Sequence, residues 1–340
     1  MFDFIPDYLF LFVFGLILLI KGGDWFVDAA SGIAKRFGLP EILIGATVVS
    51  IGTTLPEVMT SAMAAAGGTG EIAYGNAIGS IICNTALISA VTIAIKPARV
   101  DRRTLIFPVT TFFAVAVFYV LNAYLVGKFA LWSGIVLLVC FVTYMLVTVF
   151  AMLKKPGTNS SESIDLGSDT APLESESGKG IFKDILVLIG GAAVIALGAH
   201  LLVNSATTIA ENLGMPKSVI GLTVVALGTS LPELVTAITS LLKGHGALSL
   251  GNIIGANIFN LVLVSGVAIT INPFSVPETS QLFGTNASLV LDLPVMLTVM
   301  GIMTLPSLLR GRLARWQGIA LLLIYALFTV MQFALVKTVN

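Results

Sequence analysis

The sequence predicts an all-α membrane protein in which ten transmembrane helices form two inverted five-helix repeats, with broken helices at the midplane. Three observations support this prediction: the composition is strongly apolar, ten apolar runs are long enough to span a bilayer, and a pair of motifs occurs twice at a constant offset. The offset places the same motifs in helices that cross the membrane in opposite directions.

The composition excludes an ordinary soluble domain. Of the 340 residues, 56% are hydrophobic and 11% are charged, whereas a soluble domain carries about 25% charged residues. Lysine plus arginine equal aspartate plus glutamate at 18 each, so no basic surface for nucleic acid is expected. Cys83 and Cys140 lie in apolar stretches and no metal-ligand spacing is present, so neither a disulfide nor a resident cofactor is expected.

Ten apolar runs reach the length of about 20 residues that a helix needs to cross the hydrocarbon core. The N-terminus is acidic and has no basic region before its first apolar run, so this run is predicted to be a retained span and not a signal peptide. The predicted spans are 8–34, 39–66, 71–95, 104–124, 129–153, 183–210, 215–242, 247–271, 283–305 and 315–336.

One polar stretch, residues 154–182, separates the fifth and sixth spans. It is rich in Ser, Gly, Asp and Glu, a composition typical of a flexible linker. It is too short to hold a folded regulatory domain. The chain is therefore predicted to consist of a first repeat over 1–153, this linker, and a second repeat over 183–340.

The distribution of basic residues predicts the orientation. The loops that follow odd-numbered spans hold fourteen Lys and Arg residues, and the other side holds three. The positive-inside rule then places the odd-numbered loops and the linker in the cytoplasm and both termini outside. Because each repeat has five spans, the second repeat enters the membrane from the opposite side, which makes the two repeats inverted.

The first repeated motif reads GATVVSIGTTLPE at 45–57 and GLTVVALGTSLPE at 221–233, with nine of thirteen positions identical at an offset of 176. A proline has no N–H and disfavours helical geometry before it, so a break or a kink is predicted near 52–56. Backbone carbonyls at a break must face an ion, a polar cavity or another helix. Carbonyls, hydroxyls and carboxylates together are hard ligands suited to Na⁺ and Ca²⁺. The side chains that supply them are Thr53, Thr54, Glu57, Thr229, Ser230 and Glu233.

The second motif reads GNAIGSIICN at 75–84 and GNIIGANIFN at 251–260, with six of ten positions identical at the same offset. Its glycines, four residues apart, are predicted to serve helix packing and not ion binding. Its polar residues share one helical face. Asn84 and Asn260 are the better candidates for the ion path, while Asn76 and Asn252 could equally form interhelical hydrogen bonds. Ala256 stands where the first copy has Ser80, so one hydroxyl is absent.

Charge within the spans is scarce. If Glu57 and Glu233 share one cavity, its charge is −2, which one Ca²⁺ or two Na⁺ would neutralise. Lys21 is the only basic residue inside a span, so the glutamates are expected to bind cations or protons. Asp24 and Asp28 lie late in span 1 and are predicted to be interfacial charges.

Two further polar residues lie inside spans. His200 stands at the repeat position of Asp24, and Asp292 lies in span nine without a repeat partner. A proton-relay role for His200 is the less favoured interpretation. The role of Asp292 is left open by the sequence.

With these two motifs in both halves, the chain resembles the cation/calcium antiporter superfamily, and within it the prokaryotic sodium/calcium exchangers. The resemblance implies a secondary antiporter, not an enzyme, that exchanges Na⁺ for Ca²⁺ by alternating access, usually three for one and therefore electrogenic. It implies the lipid bilayer of a prokaryotic plasma membrane as surroundings and no nucleic-acid partner. A monomer is consistent with it, and the oligomeric state is left open.

The resemblance also implies ligand roles. Glu57 and Glu233 match the acids that coordinate Ca²⁺. Backbone oxygens and hydroxyls match at the remaining positions: Thr53 and Thr229 for backbone oxygens to Ca²⁺, Thr54, Ser230 and Ser80 for hydroxyls to Na⁺, Ser50 and Ala226 for main-chain carbonyls to Na⁺, and Asn84 and Asn260 for the central pair. The family often has an acid in one central position and a serine at 256, so this chain departs from the pattern at both places.

Three alternatives remain at the level of sequence. A Ca²⁺/H⁺ or K⁺-dependent exchanger of the same fold is the nearest, although hydroxyl-rich motifs favour Na⁺ over H⁺. A passive cation channel would show flux without coupling to a counter-ion. An intramembrane hydrolase could use two carboxylates, but no nucleophile and base accompany them.

Overall fold

The computed structural model describes residues 7–97, 99–153, 179–212, 226–277, 281–282 and 284–339. Within these ranges the chain forms ten helices joined mostly by short loops. They are α1 (Asp7–Arg36), α2 (Glu41–Ala66), α3 (Gly70–Ile95), α4 (Arg102–Val126), α5 (Leu131–Leu153), α6 (Lys179–Asn212), α7 (Leu231–Leu242), α8 (Gly246–Ile271), α9 (Ser288–Arg310) and α10 (Arg315–Val339). One helical turn, Ala226–Thr229, precedes α7.

The helices follow the predicted spans closely. Nine of the described helices are long and apolar enough to cross a membrane. The helix α7 is apolar but has 12 residues, and residues 213–225 of the predicted seventh span lie outside the described part of the chain. Helix α6 begins at Lys179, four residues before its predicted span. Residues 154–178 of the predicted linker lie outside the described part of the chain.

Two pairs of loops reflect the inverted repeat. The strands β1 (Lys128–Phe129) and β2 (Phe274–Ser275) pair antiparallel and join the α4–α5 loop to the α8–α9 loop. On the opposite side, Arg99 pairs with Arg312 and joins the α3–α4 loop to the α9–α10 loop. At the offset of 176, the α3–α4 loop of the first repeat corresponds to the α8–α9 loop of the second. Each of these two loops pairs with a loop of the other repeat, and the two pairings lie on opposite faces of the membrane. We call these faces the odd face and the even face, after the number of the helix that each loop follows.

A short hairpin also lies on the even face, before α9. It consists of β3 (Gln281–Leu282) and β4 (Thr285–Asn286), which pair antiparallel. The hairpin is too short to form a span, and in the sequence it lies outside both repeated motifs.

Glycines bring α1 and α6 into backbone contact. A Cβ added to Gly15 would lie 2.9 Å from the carbonyl oxygen of Gly198, and one added to Gly198 would lie 2.8 Å from that of Gly15. Gly22 and Gly191, their repeat counterparts, are packed equally tightly, against Ile195 and Phe26 respectively. A side chain larger than hydrogen does not fit at these four positions without a shift of the neighbouring helix, so the glycines allow the close approach of α1 and α6.

The helices that carry the second motif form the centre of the molecule. In α3 and α8, 72% and 83% of the apolar window is buried, against 22% in α5 and 17% in α10. Gly251 and Gly255 of α8 lie against α2, where a Cβ would collide with Ile42 and Ser50. Their interpretation as packing positions is thus confirmed. Around Gly75 and Gly79 the described residues place no atom within 4 Å of an added Cβ.

The helix interruptions fall partly where the sequence predicts them. The second copy breaks at Ser230, between the turn Ala226–Thr229 and α7. In the first copy the prediction of a break near 52–56 is wrong, because the chain stays α-helical from Ser50 to Ala66 with Pro56 inside. The alternative, a kink at the proline, stays a prediction. The interruption there is a π-helical segment at Gly45–Val49. A proline removes one hydrogen bond, and the turns on either side can hold the helix together.

Candidate cation site

Two glutamates from different repeats are buried together. Glu57 of α2 and Glu233 of α7 are both fully buried, and their carboxyl groups interact electrostatically. Thr54 Oγ1 donates a hydrogen bond to Glu233 Oε1 at 3.5 Å. Both oxygens of Glu57 and Oε2 of Glu233 have no hydrogen-bond partner among the described residues. Carboxyl oxygens left this way in a membrane interior require a cation or a proton.

A second contact between repeats lies beside the glutamates, where α2 meets α8. Thr53 Oγ1 donates to Asn252 Oδ1 at 3.2 Å. Ser50 Oγ donates to the carbonyl of Gly45 at 2.7 Å and lies 3.0 Å from the carbonyl oxygen of Asn252. These contacts fix the segment of α2 that directly follows the π-helical turn.

The asparagines of the predicted central pair occupy equivalent and unusual places. Asn84 begins a π-helical segment, Asn84–Ser89, in α3, and Asn260 begins another, Asn260–Val264, in α8. Both side chains are fully buried, and neither amide has a hydrogen-bond partner in the described part of the chain. Segments of this kind occur mostly at functional sites. Two amide oxygens are therefore available to a ligand at symmetric positions.

The other predicted residues are mostly buried as well. Ser80 is 4% exposed and Ser230 is 1% exposed, and the Ser230 hydroxyl has no partner among described groups. Thr229 is half-buried at the end of its helical turn. The side chain of Ala226 lies outside what the structure describes.

The structure links some of these residues directly and leaves others apart. It joins Thr54 to Glu233, and Ser50 and Thr53 to Asn252. Within the described ranges, no hydrogen bond given by the structure connects Ser80, Asn84 or Asn260 to the two glutamates. Lys21, which lies within α1, is exposed and is therefore not a buried counter-charge to the two glutamates.

The sequence analysis did not include two hydroxyl residues of α7. The hydroxyls of Thr236 and Ser240 are buried without a partner among the described residues. Thr236 and Ser240 follow Glu233 by three and seven residues, which places them on the same helical face. That spacing is the signal that would have found them.

Comparison with known proteins identifies the family. The family model described as sodium/calcium exchanger protein matches residues 8–150 and 183–334, which together cover both halves. The chain belongs to the sodium/calcium exchanger family. The resemblance that the two motifs carry is thereby confirmed, and the gap between the matched segments falls at the predicted linker.

Archaeal and bacterial proteins are among the relatives that match most of this chain. The sodium/calcium exchanger MaX1 of Methanosarcina acetivorans is 34% identical over 95% of this chain and 97% of its own length. The inner membrane protein YrbG of Escherichia coli is 36% identical over 77% of this chain and 79% of its own. The solved structure of the sodium-calcium exchanger NCX_Mj, soaked with 2.5 mM Na⁺ and 0.1 mM Ca²⁺, has a TM-score of 0.78 at 30% identity over 95% of this chain and 97% of that chain.

Family membership and the apolar helices give a coarse function. The chain is an integral membrane protein of the cation/calcium exchanger type, and Na⁺ and Ca²⁺ are the ions that this family handles. Exchangers move ions and do not transform them chemically.

Proposed function

We propose that this exchanger is a secondary antiporter that couples Na⁺ movement to Ca²⁺ movement by alternating access. The observation that carries the proposal is the pair Glu57 and Glu233, one from each inverted repeat, fully buried with three of four carboxyl oxygens unpartnered among the described residues. Such a pair is a site for which Na⁺ and Ca²⁺ compete. Competition for one site prevents both ions from being carried together, which is the basis of exchange.

The ligand roles that the resemblance implies extend this proposal to the neighbouring residues. Glu57 and Glu233 would hold Ca²⁺, with backbone oxygens of Thr53 and Thr229. The sodium positions would draw on hydroxyl, amide and main-chain oxygens: Thr54, Ser230 and Ser80, the central pair Asn84 and Asn260, and the carbonyls of Ser50 and Ala226. Burial of the described members and their position in α2, α3, α7 and α8 support this set.

The moving element in this proposal is the pair α1 and α6. Glycines at Gly15, Gly22, Gly191 and Gly198 bring the two helices into close contact, which favours their motion as one unit along the site-bearing helices. Phe26 of α1 lies over Gly52 of α2, where an added Cβ would be 3.1 Å from the ring. A neutralised site would permit this pair to slide, whereas an unfilled site with two negative charges would oppose it.

Charge arithmetic gives the proposed stoichiometry an electrical consequence. Three Na⁺, the number that the resemblance implies, leave the two glutamates with a charge of about +1, while one Ca²⁺ leaves them neutral. The two loaded forms therefore differ by one charge, and a complete cycle moves one charge across the membrane. We further propose that the odd face is cytoplasmic, that both termini are outside, and that residues 154–182 form a cytoplasmic linker between two repeats.

The experiment that tests the coupling is ⁴⁵Ca²⁺ uptake into proteoliposomes loaded with Na⁺ and diluted into Na⁺-free buffer. Electrogenic Na⁺/Ca²⁺ exchange predicts uptake that requires internal Na⁺ and rises when a K⁺/valinomycin potential makes the interior positive. Uptake driven only by a pH gradient would replace Na⁺ by H⁺ as the coupling ion. Uptake that needs internal K⁺ as well would indicate K⁺ dependence, and uncoupled flux would indicate a channel.

A further inference from the structure

We propose that Asn252 is a positioning residue, which pins α2 to α8 and so sets the Na⁺ affinity of the site. This inference rests on the proposed function. Asn252 is fully buried, accepts from Thr53 at 3.2 Å and lies within 3.3 Å of the Ser50 hydroxyl through its Oδ1. It thus holds two consecutive turns of the helix that carries Glu57.

The two repeats use this asparagine differently. The Nδ2 of Asn76, its repeat counterpart, donates to two groups of its own repeat, the Ser61 hydroxyl at 2.8 Å and the Glu57 carbonyl at 3.1 Å. The counterpart of Ser61 is Ala237, which has no hydroxyl to accept such a bond. Accordingly, Asn252 Nδ2 has no partner in the described chain.

The same comparison explains why Asn252 reaches across to the first repeat. Ser50 supplies a hydroxyl, whereas its counterpart Ala226 cannot. The Ser50/Ala226 difference therefore gives Asn252 a hydroxyl partner in the first repeat, and the Ser61/Ala237 difference gives Asn76 one within its own repeat. The close approach of Gly255 to Ser50 keeps the two helices near enough for the contact.

Position along α2 gives the contact its consequence. Ser50 directly follows the π-helical segment Gly45–Val49, and its hydroxyl also donates to the Gly45 carbonyl. The main-chain oxygens of Ser50 and Thr53 are proposed ion ligands, and the side-chain hydroxyls of the same two residues are what Asn252 holds. Removal of the amide releases these carbonyls from a fixed position, which weakens binding without removing a ligand.

The test is a double-mutant cycle on Na⁺ affinity, measured from Na⁺-dependent thermal stabilisation of the detergent-purified protein. Asn252→Leu and the pair Ser50→Ala/Thr53→Val should each weaken Na⁺ binding by about fivefold to tenfold. The combined variant should bind no more weakly than Ser50→Ala/Thr53→Val. The matched control Asn76→Leu, equally placed in the other repeat, should instead add its own effect to that pair.

The outcomes separate clearly. A full additional loss from Asn252→Leu in the Ser50→Ala/Thr53→Val background would overturn the positioning role, as would the same non-additivity for Asn76→Leu. The binding measurement does not require transport. Failure of Na⁺-driven Ca²⁺ uptake in the unmodified protein would therefore count against the proposed function and leave the role of Asn252 to be decided by the cycle.

A separate observation on the odd face carries a second inference. Lys243, in the α7–α8 loop, lies 2.8 Å from Asp28 Oδ1 and 3.3 Å from Asp24 Oδ1, and donates to the Asp24 carbonyl at 3.1 Å. Both aspartates belong to α1. We infer that this ion-pair cluster is a one-sided latch, which stabilises the state in which α1 closes the odd face.

Other polar contacts surround the latch. His245, two residues after Lys243, lies 2.8 Å from Glu41 at the start of α2, and Ser31 of α1 donates to the same carboxylate at 3.2 Å. Arg36 of α1 pairs with Asp184 of α6 at 3.2 Å. The odd end of α1 is therefore connected to the loop, to α2 and to α6 at once.

The inverted repeat shows that the even face lacks an equivalent. In an inverted-repeat exchanger, closure of the even face brings α6 to the α2–α3 loop as closure of the odd face brings α1 to the α7–α8 loop. The counterparts of Lys243, Asp24 and Asp28 are Gly67, His200 and Asn204. These residues contain no carboxylate and no lysine, and His200 lies 3.0 Å from Asn204 instead.

Packing on the two sides agrees with closure at the odd face. Gly23 of α1 lies so near Val235 and Thr239 of α7 that an added Cβ would be 2.6 Å from the Val235 side chain. The counterparts of these two α7 residues, Met59 and Met63 of α2, are 62% and 71% exposed. The structure thus shows α1 packed over α7 and leaves the equivalent surface of α2 uncovered.

The latch is tested by the distance between spin labels on the even face at Glu71 and Asn212, both exposed, with Cys83 and Cys140 replaced. Lys243→Gln should raise the even-closed, short-distance population by about two- to fivefold, the range expected for partly exposed ion pairs. Arg103→Gln removes an exposed charge from the odd face, where Lys243 also lies. This variant should leave the distance distribution unchanged.

The reciprocal variant installs the latch on the other side. Gly67→Lys with His200→Asp and Asn204→Asp should also raise the short-distance population, and position 67 accepts a Cβ at 3.4 Å from its nearest neighbour. An unchanged distribution in both variants, or an equal shift in Arg103→Gln, would overturn the latch. This inference also rests on alternating access, but the label distances do not depend on which ion is coupled.

Discussion

Thr54 of the first repeat donates a hydrogen bond to Glu233 of the second repeat at 3.5 Å. The contact joins the two copies of one motif, which lie 179 residues apart in the chain. Neither repeat therefore contains a complete site, and the carboxylates of both are brought together only when the halves are assembled. This arrangement is what an inverted-repeat exchanger needs for one site that is reached from either side.

Thr54 is expected to matter through its hydroxyl. Thr54→Val keeps the shape of the side chain but removes the donor to Glu233. The Na⁺ concentration that half-saturates Na⁺-dependent Ca²⁺ uptake should therefore rise about fivefold to tenfold. Thr54→Ser retains the donor and should stay within about twofold of the unmodified protein. Unmodified Na⁺ dependence in Thr54→Val, together with a loss in Thr54→Ser, would show that the methyl group, and not the hydroxyl, is required.

The glycine contact between α1 and α6 should be sensitive to a single methyl group. Gly198→Ala places a Cβ 2.8 Å from the Gly15 carbonyl oxygen, an overlap that should cost about 1–3 kcal/mol of stability or force the helices apart. The temperature of thermal unfolding and the rate of Na⁺/Ca²⁺ exchange should both decrease. Gly190→Ala, on the same helix, meets no described atom within 4 Å and should change neither. A fully active and equally stable Gly198→Ala protein would contradict tight packing.

Ala256 provides a gain-of-function test. It occupies the position of Ser80 in the second repeat and is fully buried in α8. Ala256→Ser should supply the missing hydroxyl and strengthen Na⁺ binding severalfold, on the order of one added ion contact. The Na⁺ dependence of Ca²⁺ uptake measures this directly. An unchanged Na⁺ dependence with normal thermal stability would show that a hydroxyl at position 256 does not contribute to Na⁺ binding.

Much of the fold follows from hydropathy and the repeat alone. The constant offset predicts equivalent helices, and their bounds agree because the apolar lengths are set by the bilayer. The position of the first interruption was not predictable in the same way. Pro56 marks a local loss of one hydrogen bond, but the π-helical segment at Gly45–Val49 depends on how α2 packs against α8.

The burial of the two glutamates could be predicted from the sequence, whereas the contacts between the repeats could not. Glu57 and Glu233 are marked by charge within apolar sequence, so their burial was expected. The pairing of Thr53 with Asn252 was not expected, because it depends on which repeat faces which across the interface. The Ser50/Ala226 and Ser61/Ala237 differences contain that information, but they acquire meaning only when the partner of each asparagine is known.

The central claim is that Glu57 and Glu233 form one cation site from two repeats. The most direct test is the stoichiometry of Ca²⁺ binding to the purified protein by titration calorimetry, in the unmodified chain and in Glu57→Gln and Glu233→Gln. Glu71→Gln, which alters an exposed acid of α3, serves as the control. The account predicts one Ca²⁺ per chain, displaced by Na⁺, unaffected in the control and lost in both single variants. Two independent Ca²⁺ sites, or Ca²⁺ binding that survives in either single variant, would contradict it.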